Sequence, residues 1–294
     1  MSRRINTIVI PAAGMGTRLL PATRVTAKEM LPVYDTPMID FAMEEAAAAG
    51  AVRVIVVLGP DKLAIRDHLL PQVVPPRLGH QPLGLRRPEG VEVVFAFQNK
   101  PLGLGHAIAC ARPLMLPGPF GVILPDDVIF GTPCLPEMAR AYRGGHMVAA
   151  MDVPPADTVR YGMFRELGDA TGPIVPASGL VEKPKAGTEP SLLAAVGRYI
   201  LDPSVFDSLD QTRIGVGGEM QLTDAINADA DRVPLTAFRF SGRRYDCGAF
   251  DGLLEAAIAR KAQVRRDSAV LPQQTQARAM RPRLDLAQTH HAAV

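Results

Sequence analysis

Two glycines, Gly14 and Gly16, follow the β-branched run Thr-Ile-Val-Ile at 7–10, with Arg18 and Lys28 close behind. Such a run reads as a buried strand. Glycines let the backbone turn tightly and bring its N–H groups near an anion. Arg18 and Lys28 add two positive charges, the combination a polyphosphate needs. Two plainer readings compete: a purely structural turn, or the start of a dinucleotide-binding unit of the G-x-G-x-x-G kind. The second is weak, because Leu19 stands where the third glycine belongs and Pro21 opposes an immediate helix.

Carboxylates supply the complementary chemistry. Asp126 and Asp127 follow an apolar run and Pro125, so at least one should be exposed at the end of a strand. Asp246 lies in Arg-Tyr-Asp-Cys-Gly, beyond the strand-like stretch 235–240. Oxygen ligands of this kind suit Mg2+, which keeps several waters and bridges phosphates; the alternative is a pair that merely caps a turn. Gln98 ends another strand-like run, a natural place for an amide that reads the donor–acceptor edge of uracil. Gly103 in Leu-Gly-Leu-Gly-His would let a base lie flat, and His106 reads as a structural histidine at a helix start. Glu182-Lys183 has a carboxylate for sugar hydroxyls and an ammonium for a phosphate, although alone it is an ordinary surface turn.

Taken together these stretches resemble the sugar-1-phosphate nucleotidyltransferases. The resemblance rests on PAAGMGTRLLPAT and KEMLPVYDTPMI near the start. PLGLGHAIACA (101–111), ILPDDVIFG (123–131), LVEKPKAG (180–187), VGRYIL (196–201), GGEMQLTDAI (217–226) and RYDCG (244–248) follow in the family's order. It covers most of residues 5–260 and is closest to the branch that joins UTP to glucose 1-phosphate, giving UDP-glucose and pyrophosphate. It implies an Mg2+ cofactor on Asp126 and Asp246, and Arg18, Lys28 and Lys183 as catalytic cations. Ala13, Gly14, Glu29, Gln98, Gly103, Asp127, Gly162 and Glu182 are implied to bind substrate. A dTTP-using enzyme of the same family and a catalytically weak regulatory paralogue stay open as alternatives. Phe97, Leu192 and Phe250 depart from the family's usual Arg, Asn and Lys, which bears on base and sugar choice.

The elements that must position these residues are legible in outline. Strand-like runs at 7–10, 52–58, 91–97 and 121–124 alternate with helix-like stretches at 38–49 and 104–111. That pattern predicts an α/β fold, Rossmann-like, with a mostly parallel sheet flanked by helices and smaller β and helical additions. Such sheets bind ligands beyond the carboxyl ends of their strands. Shorter strands are expected near 160–165, 178–182 and 194–201, and closing helices at 218–230 and 251–264. Residues 71–90 hold five prolines and three glycines and predict an irregular loop.

At 294 residues and 47% hydrophobic, the chain is long enough for one large α/β domain. The expected division is a catalytic domain over 4–264 and a basic, flexible tail over 265–294. The tail carries five arginines and two aspartates, a net +3 that leaves the rest at −1 against the total of +2. A near-neutral body argues against a nucleic-acid partner. No run of eighteen apolar residues predicts a membrane span, and no apolar signal core follows Met1. Three scattered cysteines, Cys110, Cys134 and Cys247, suit neither a disulfide framework nor a zinc site, which points to the cytoplasm. The resemblance implies a homo-oligomer, dimer or tetramer.

Overall fold

Apolar runs become strands and the Ala-rich stretches between them become helices. The computed structural model describes residues 4–70, 90–168, 170–212 and 218–279. The loop expected at 71–90 therefore lies outside the described residues except for Gly90, as does the tail from 280 on.

The chain begins with β1 (Thr7–Ala12) and then makes three short 3-10 turns instead of an α-helix, as Pro21 predicts. A small antiparallel pair, β2 (Pro32–Val33) and β3 (Thr36–Pro37), leads into α1 (Met38–Ala48). Gly50, at φ 84°, follows α1 in the left-handed conformation that ends helices. Next come β4 (Arg53–Leu58), α2 (Leu63–Leu69), β5 (Glu92–Phe97), α3 (Leu104–Ala111) and β6 (Phe120–Ile123). The second half contributes β7 (Asp127–Phe130), α4 (Cys134–Ala141), β8 (His146–Asp152), β9 (Gly162–Glu166), β10 (Ile174–Glu182) and β11 (Leu193–Leu201). It closes with α5 (Val205–Gln211), α6 (Leu222–Asp229), β12 (Leu235–Arg239), β13 (Arg243–Asp246) and α7 (Phe250–Ala279).

Nine strands form one sheet in the order β5-β4-β1-β6-β11-β8-β12-β10-β9. The first four are mutually parallel. β11 enters between β6 and β8 antiparallel to both, and β10 likewise opposes β12 and β9. The remaining strands share one direction, so the half from β5 to β6 is parallel as predicted while the half from β11 to β9 is mixed. Neighbouring residues of β1 alternate between two cores. Val9 packs with α3, α5 and α6 on one face, and Ile8 and Ile10 pack with α1 and α4 on the other. Burial on both faces is why these strands read as unbroken apolar runs.

Three differences from the sequence reading stand out. β7, α4 and β8 lie in a stretch where no element was predicted. α6 starts at Leu222, four residues later than expected. α7 runs past 264 to Ala279, through a stretch that includes Pro272 but no glycine and is rich in helix-favouring Ala, Arg and Gln, so no end of the helix marks the expected domain boundary.

Candidate active site

The carboxyl ends of β1, β5 and β6 open onto two adjoining cavities of about 430 and 550 Å3. Ala13, Gly14, Lys28, Gln98 and Gly103 line the first; Asp127, Gly162, Glu182, Lys183 and Asp246 line the second. Arg18 and Asp126 border both. Of the residues expected to take part in catalysis, substrate binding or metal binding, only Glu29 lines neither.

The loop after β1 turns at Gly16, which has φ 67°. A Cβ there would stand 3.2 Å from both Lys28 Cβ and Thr23 Cγ2, so glycine is required twice over. The Thr23 hydroxyl donates to Gly16 O at 2.8 Å and closes the turn. Behind the loop lies an ion pair that sequence reading missed. Lys62, just past β4, donates to both Glu29 carboxylate oxygens, at 2.8 and 3.0 Å, and to the Gly14 carbonyl. Glu29 is 0% exposed. The expectation that it binds substrate is therefore corrected: its carboxylate is committed to Lys62, and it supports the loop from behind. Burial raises the Glu29 pKa in spite of the neighbouring lysines.

Lys28 donates to Asp126 Oδ2 at 2.6 Å. Burial works to raise the Asp126 pKa, but the charge and hydrogen bond of Lys28 outweigh it and hold the carboxyl below its ordinary value. Burial likewise works to lower Lys28, and Asp126 reverses the sign. Both stay charged at neutral pH.

β7 and β13 pair antiparallel with Asp127 opposite Asp246, which carries Asp246 to the turn that presents Asp126. The two aspartates after β6 part company there. Asp127 is buried, with Oδ1 accepting from Arg244 Nε at 2.7 Å and Oδ2 from Gly197 N at 2.7 Å. It borders the cavity but is held as a structural tie, and burial raises its pKa in spite of Arg244. Asp126 and Asp246 face a common space. A Cβ on Gly248 would stand 3.0 Å from Asp126 Oδ2, 3.1 Å from Asp246 Oδ1 and 2.8 Å from Arg18 Nη2. Asp246 is ringed by guanidinium groups: Arg160 at 3.4 Å, Arg244 at 3.7 Å and Arg18 at 3.9 Å. Arg160 and Arg244 also escaped the sequence reading, although Arg244 sits inside the quoted RYDCG motif.

These donors suit a hard divalent cation. Among the described residues no group of three or more His, Cys, Asp or Glu side chains could hold a metal. Two carboxylates facing one space, with the rest of the shell left to phosphate oxygens, is the arrangement Mg2+ favours.

Gln98 closes β5. Its amide nitrogen donates to Gly103 O at 3.0 Å and lies 2.9 Å from His106 Nδ1, so both amide hydrogens are directed at protein acceptors. The expected donor–acceptor reading of a base therefore narrows to the oxygen alone. Gly103 has φ 92°, and a Cβ there would stand 2.9 Å from Glu219 Cβ and Met220 O. Its glycine is required by backbone conformation and by packing against 219–220, not only by a flat base.

On the other side, Gly162 starts β9 directly opposite Glu182 at the end of β10. A Gly162 Cβ would stand 3.2 Å from Glu182 Oε2. Lys183 is 62% exposed, with Nζ 3.6 Å from Glu182 Oε1, and adopts φ 42° with its N–H donating to Tyr161 O. The ammonium is thus free to meet an anion at the mouth. Phe97, Leu192 and Phe250 are exposed and line neither cavity, so these departures from the family pattern lie outside the walls of the cleft.

Comparison with known proteins identifies the family. The sequence model of the family "Nucleotidyl transferase" matches residues 7–263. The UTP–glucose-1-phosphate uridylyltransferase of Staphylococcus haemolyticus is 40% identical over 266 residues, 87% of this chain and 92% of that protein. Its Pseudomonas aeruginosa namesake is 40% identical over 269 residues, 86% and 94% of the two chains. Among solved structures, a UDP-glucose pyrophosphorylase complexed with UDP-glucose superimposes with TM-score 0.80 at 34% identity, covering 88% of this chain and 99% of the other. A UTP-bound enzyme from Acinetobacter baumannii gives TM-score 0.77 at 29% identity, covering 91% and 99%.

Proposed function

The chain belongs to the nucleotidyl transferase family, and from that premise we propose that it transfers the uridylyl group of UTP to glucose 1-phosphate, forming UDP-glucose and releasing pyrophosphate. One observation carries this reading beyond the family: the glycine loop and Gln98 line one cavity, Glu182 and Lys183 line its neighbour, and Arg18 and Asp126 stand on the border.

An attacking sugar phosphate is already a nucleophile at neutral pH, so positioning and charge neutralisation do the catalytic work. The α-phosphorus is read to sit at the border of the cavities, where an oxygen of glucose 1-phosphate attacks in line and pyrophosphate departs toward the glycine loop. Arg18, 64% exposed, and Lys28, held by Asp126, balance the charge on that leaving group. Glu182 accepts from sugar hydroxyls, Gly162 leaves room beside it, and Lys183 swings onto the sugar phosphate. Asp126 and Asp246 are the residues that would hold Mg2+, which when bound neutralises and orients the phosphates.

The same reading takes 4–264 as the catalytic domain and the remainder as an extension. Three free cysteines fit a cytoplasmic setting. No helix among the described residues is long and apolar enough to cross a membrane. Phe250, Leu254 and Ile258, exposed at a spacing of four along α7, favour a homo-oligomer, which light scattering would check. The decisive test of function is pyrophosphate release from UTP, dTTP, CTP and GTP with glucose 1-phosphate. Turnover confined to UTP supports the proposal, and faster turnover with another nucleotide overturns it.

A further inference from the structure

Every exposed side chain of α7 between Phe250 and Arg266 lies on one face. At 3.6 residues per turn these positions fall within about 80° of Ile258. The opposite face is packed: Ala256 is fully buried and joins Val128 and Tyr245 in a small core, with Leu253 and Ala259 beside it. Arg260 also turns inward, pairing with Asp35 at 2.9 Å over the Phe41 ring. The outer face is not the solvated surface of an ordinary polar helix. Phe250, Leu254 and Ile258 run along it, 48%, 61% and 61% exposed. Its charges are sorted by sign: Asp251 and Glu255 precede Ile258, and Lys261 and Arg265 follow it. The helix dipole accounts for Asp251 in the first turn, but it acts only within the terminal turns. Lys261 and Arg265 stand well inside a helix that runs to Ala279.

We propose that this face is the contact between two copies of the chain, whose α7 helices pair antiparallel across a twofold axis at Ile258. A twofold contact must be self-complementary, because each copy offers the same surface. The face meets that condition. Asp251 and Arg265 lie seven residues to either side of Ile258, and Glu255 and Lys261 lie three. Antiparallel pairing about Ile258 therefore sets Glu255 against the partner's Lys261 and Asp251 against the partner's Arg265. Along the middle, Ile258 meets the partner's Ile258 and Leu254 meets the small side chain of the partner's Ala262. A parallel pair in the same register would instead set like charges together, which opposes it. Covering three large apolar side chains on each copy supplies the attraction, and the charges fix direction and register. The contact goes beyond the reaction proposed above and does not rest on it.

The experiment measures mass by light scattering and dissociation by analytical ultracentrifugation on the full chain. Ile258→Glu brings two carboxylates together on the axis and should halve the mass. Lys261→Glu turns two attractive pairs repulsive at once, because the axis repeats each pair. Its dissociation constant should rise about tenfold or more, most steeply at low salt. Glu255→Lys should do the same, and the double variant Glu255→Lys with Lys261→Glu should recover most of the loss. That recovery is specific to the register, since only pairing about Ile258 brings the two positions together. A monomeric parent, an unchanged mass in Ile258→Glu, or a double variant weaker than either single one overturns the proposal. All these side chains are exposed, so circular dichroism should match the parent; should Ile258→Glu not fold, the charge exchange decides alone. Pyrophosphate release with UTP reports on the reaction separately. A paired chain without turnover would refute the reaction and leave this contact standing, and a monomer with UTP turnover would do the reverse.

Discussion

Arg198 and Glu45, 153 residues apart in the chain, form a buried ion pair with Nη2 2.8 Å from Oε2. The Arg198 side chain is 2% exposed, and its guanidinium also donates to the carbonyls of Leu124, Gly197 and Asp127 at 3.1, 2.9 and 2.7 Å. Glu45 Oε1 accepts from Leu135 N at 2.8 Å. Helix α1 is thereby tied to both sides of the turn that presents Asp126. Removing one member strands the other charge in the interior, at a cost of about 3–5 kcal/mol. Arg198→Met should lower the urea midpoint sharply, and adding Glu45→Leu should recover part of the loss. A single variant as stable as the parent would refute this role.

Asp126→Asn keeps the shape and removes the charge that holds Lys28 and, in the mechanism proposed above, a hard cation. Turnover should fall roughly 10²-fold or more, with the Mg2+ concentration for half-maximal rate raised. UDP-glucose binding, measured by calorimetry, should persist through Gln98 and the glycine loop. Asp246→Asn should follow it, and Asp127→Asn should act mainly on stability because its oxygens serve Arg244 and Gly197.

Gly248→Ala probes the space between the two carboxylates. The new methyl would stand within 3.1 Å of Arg18 Nη2, Asp126 Oδ2 and Asp246 Oδ1, all side-chain ends able to move. The chain should fold with an unchanged melting temperature while kcat drops about 10²-fold, the scale expected for misplacement near 1 Å. A wild-type kcat would show that the space between them is not used.

Lys62→Met should leave Glu29 buried without its partner and release the Gly14 carbonyl. Destabilisation of about 3–5 kcal/mol is expected together with a raised KM for UTP. Glu29→Gln added to Lys62→Met should restore stability more than KM, since only the lysine reaches Gly14. Parallel recovery of both would argue against a direct hold on the loop.

Acid stability should depend on His146. It is wholly buried, with Nδ1 accepting from Asp202 N at 3.2 Å and Nε2 3.1 Å from Asp229 Oδ2. Asp229 also accepts from Ser204, Ser208 and Arg232. Burial lowers the His146 pKa from 6.5, outweighing the pull of Asp229 and Asp202. Below 6.5 the unfolded chain binds a proton that the folded chain refuses. Stability is therefore full above 6.5 and declines as pH falls toward the folded pKa. Melting curves between about pH 7.5 and 5.5 should show that decline in the parent and a smaller one in His146→Gln, whose melting temperature is lower throughout. An equal slope in both would assign the effect to other groups.

The motifs around Gly14, Asp126 and Asp246 were legible because each is a local statement. A glycine turn after an apolar run, or a carboxylate after a strand and a proline, is set by residues within a few positions. The strands β1, β4 and β6 were legible for the same reason: burial on both faces writes a continuous apolar run, and β5, a half-buried edge strand, still carries the run Val93–Phe97. β7 was not, since it opens on the charged Asp127 and spans only Asp127–Phe130 before Gly131 turns the chain. Glu29 was misread because nothing near it in sequence announces Lys62.

Sequence alone determined the family and the reaction class and nominated the residues proposed to meet phosphate, metal and sugar, because those choices are made by residue type and short spacing. Tertiary structure decided which of them actually face the cleft. It brought Asp246 to Asp126 through the pairing of β7 with β13, withdrew Glu29 behind the loop onto Lys62, turned Asp127 into a tie for Arg244, and left Gln98 with an acceptor alone. Each outcome depends on a partner distant in the chain or on a hydrogen bond that the packed fold assigns. Periodicity and local spacing carry no record of either.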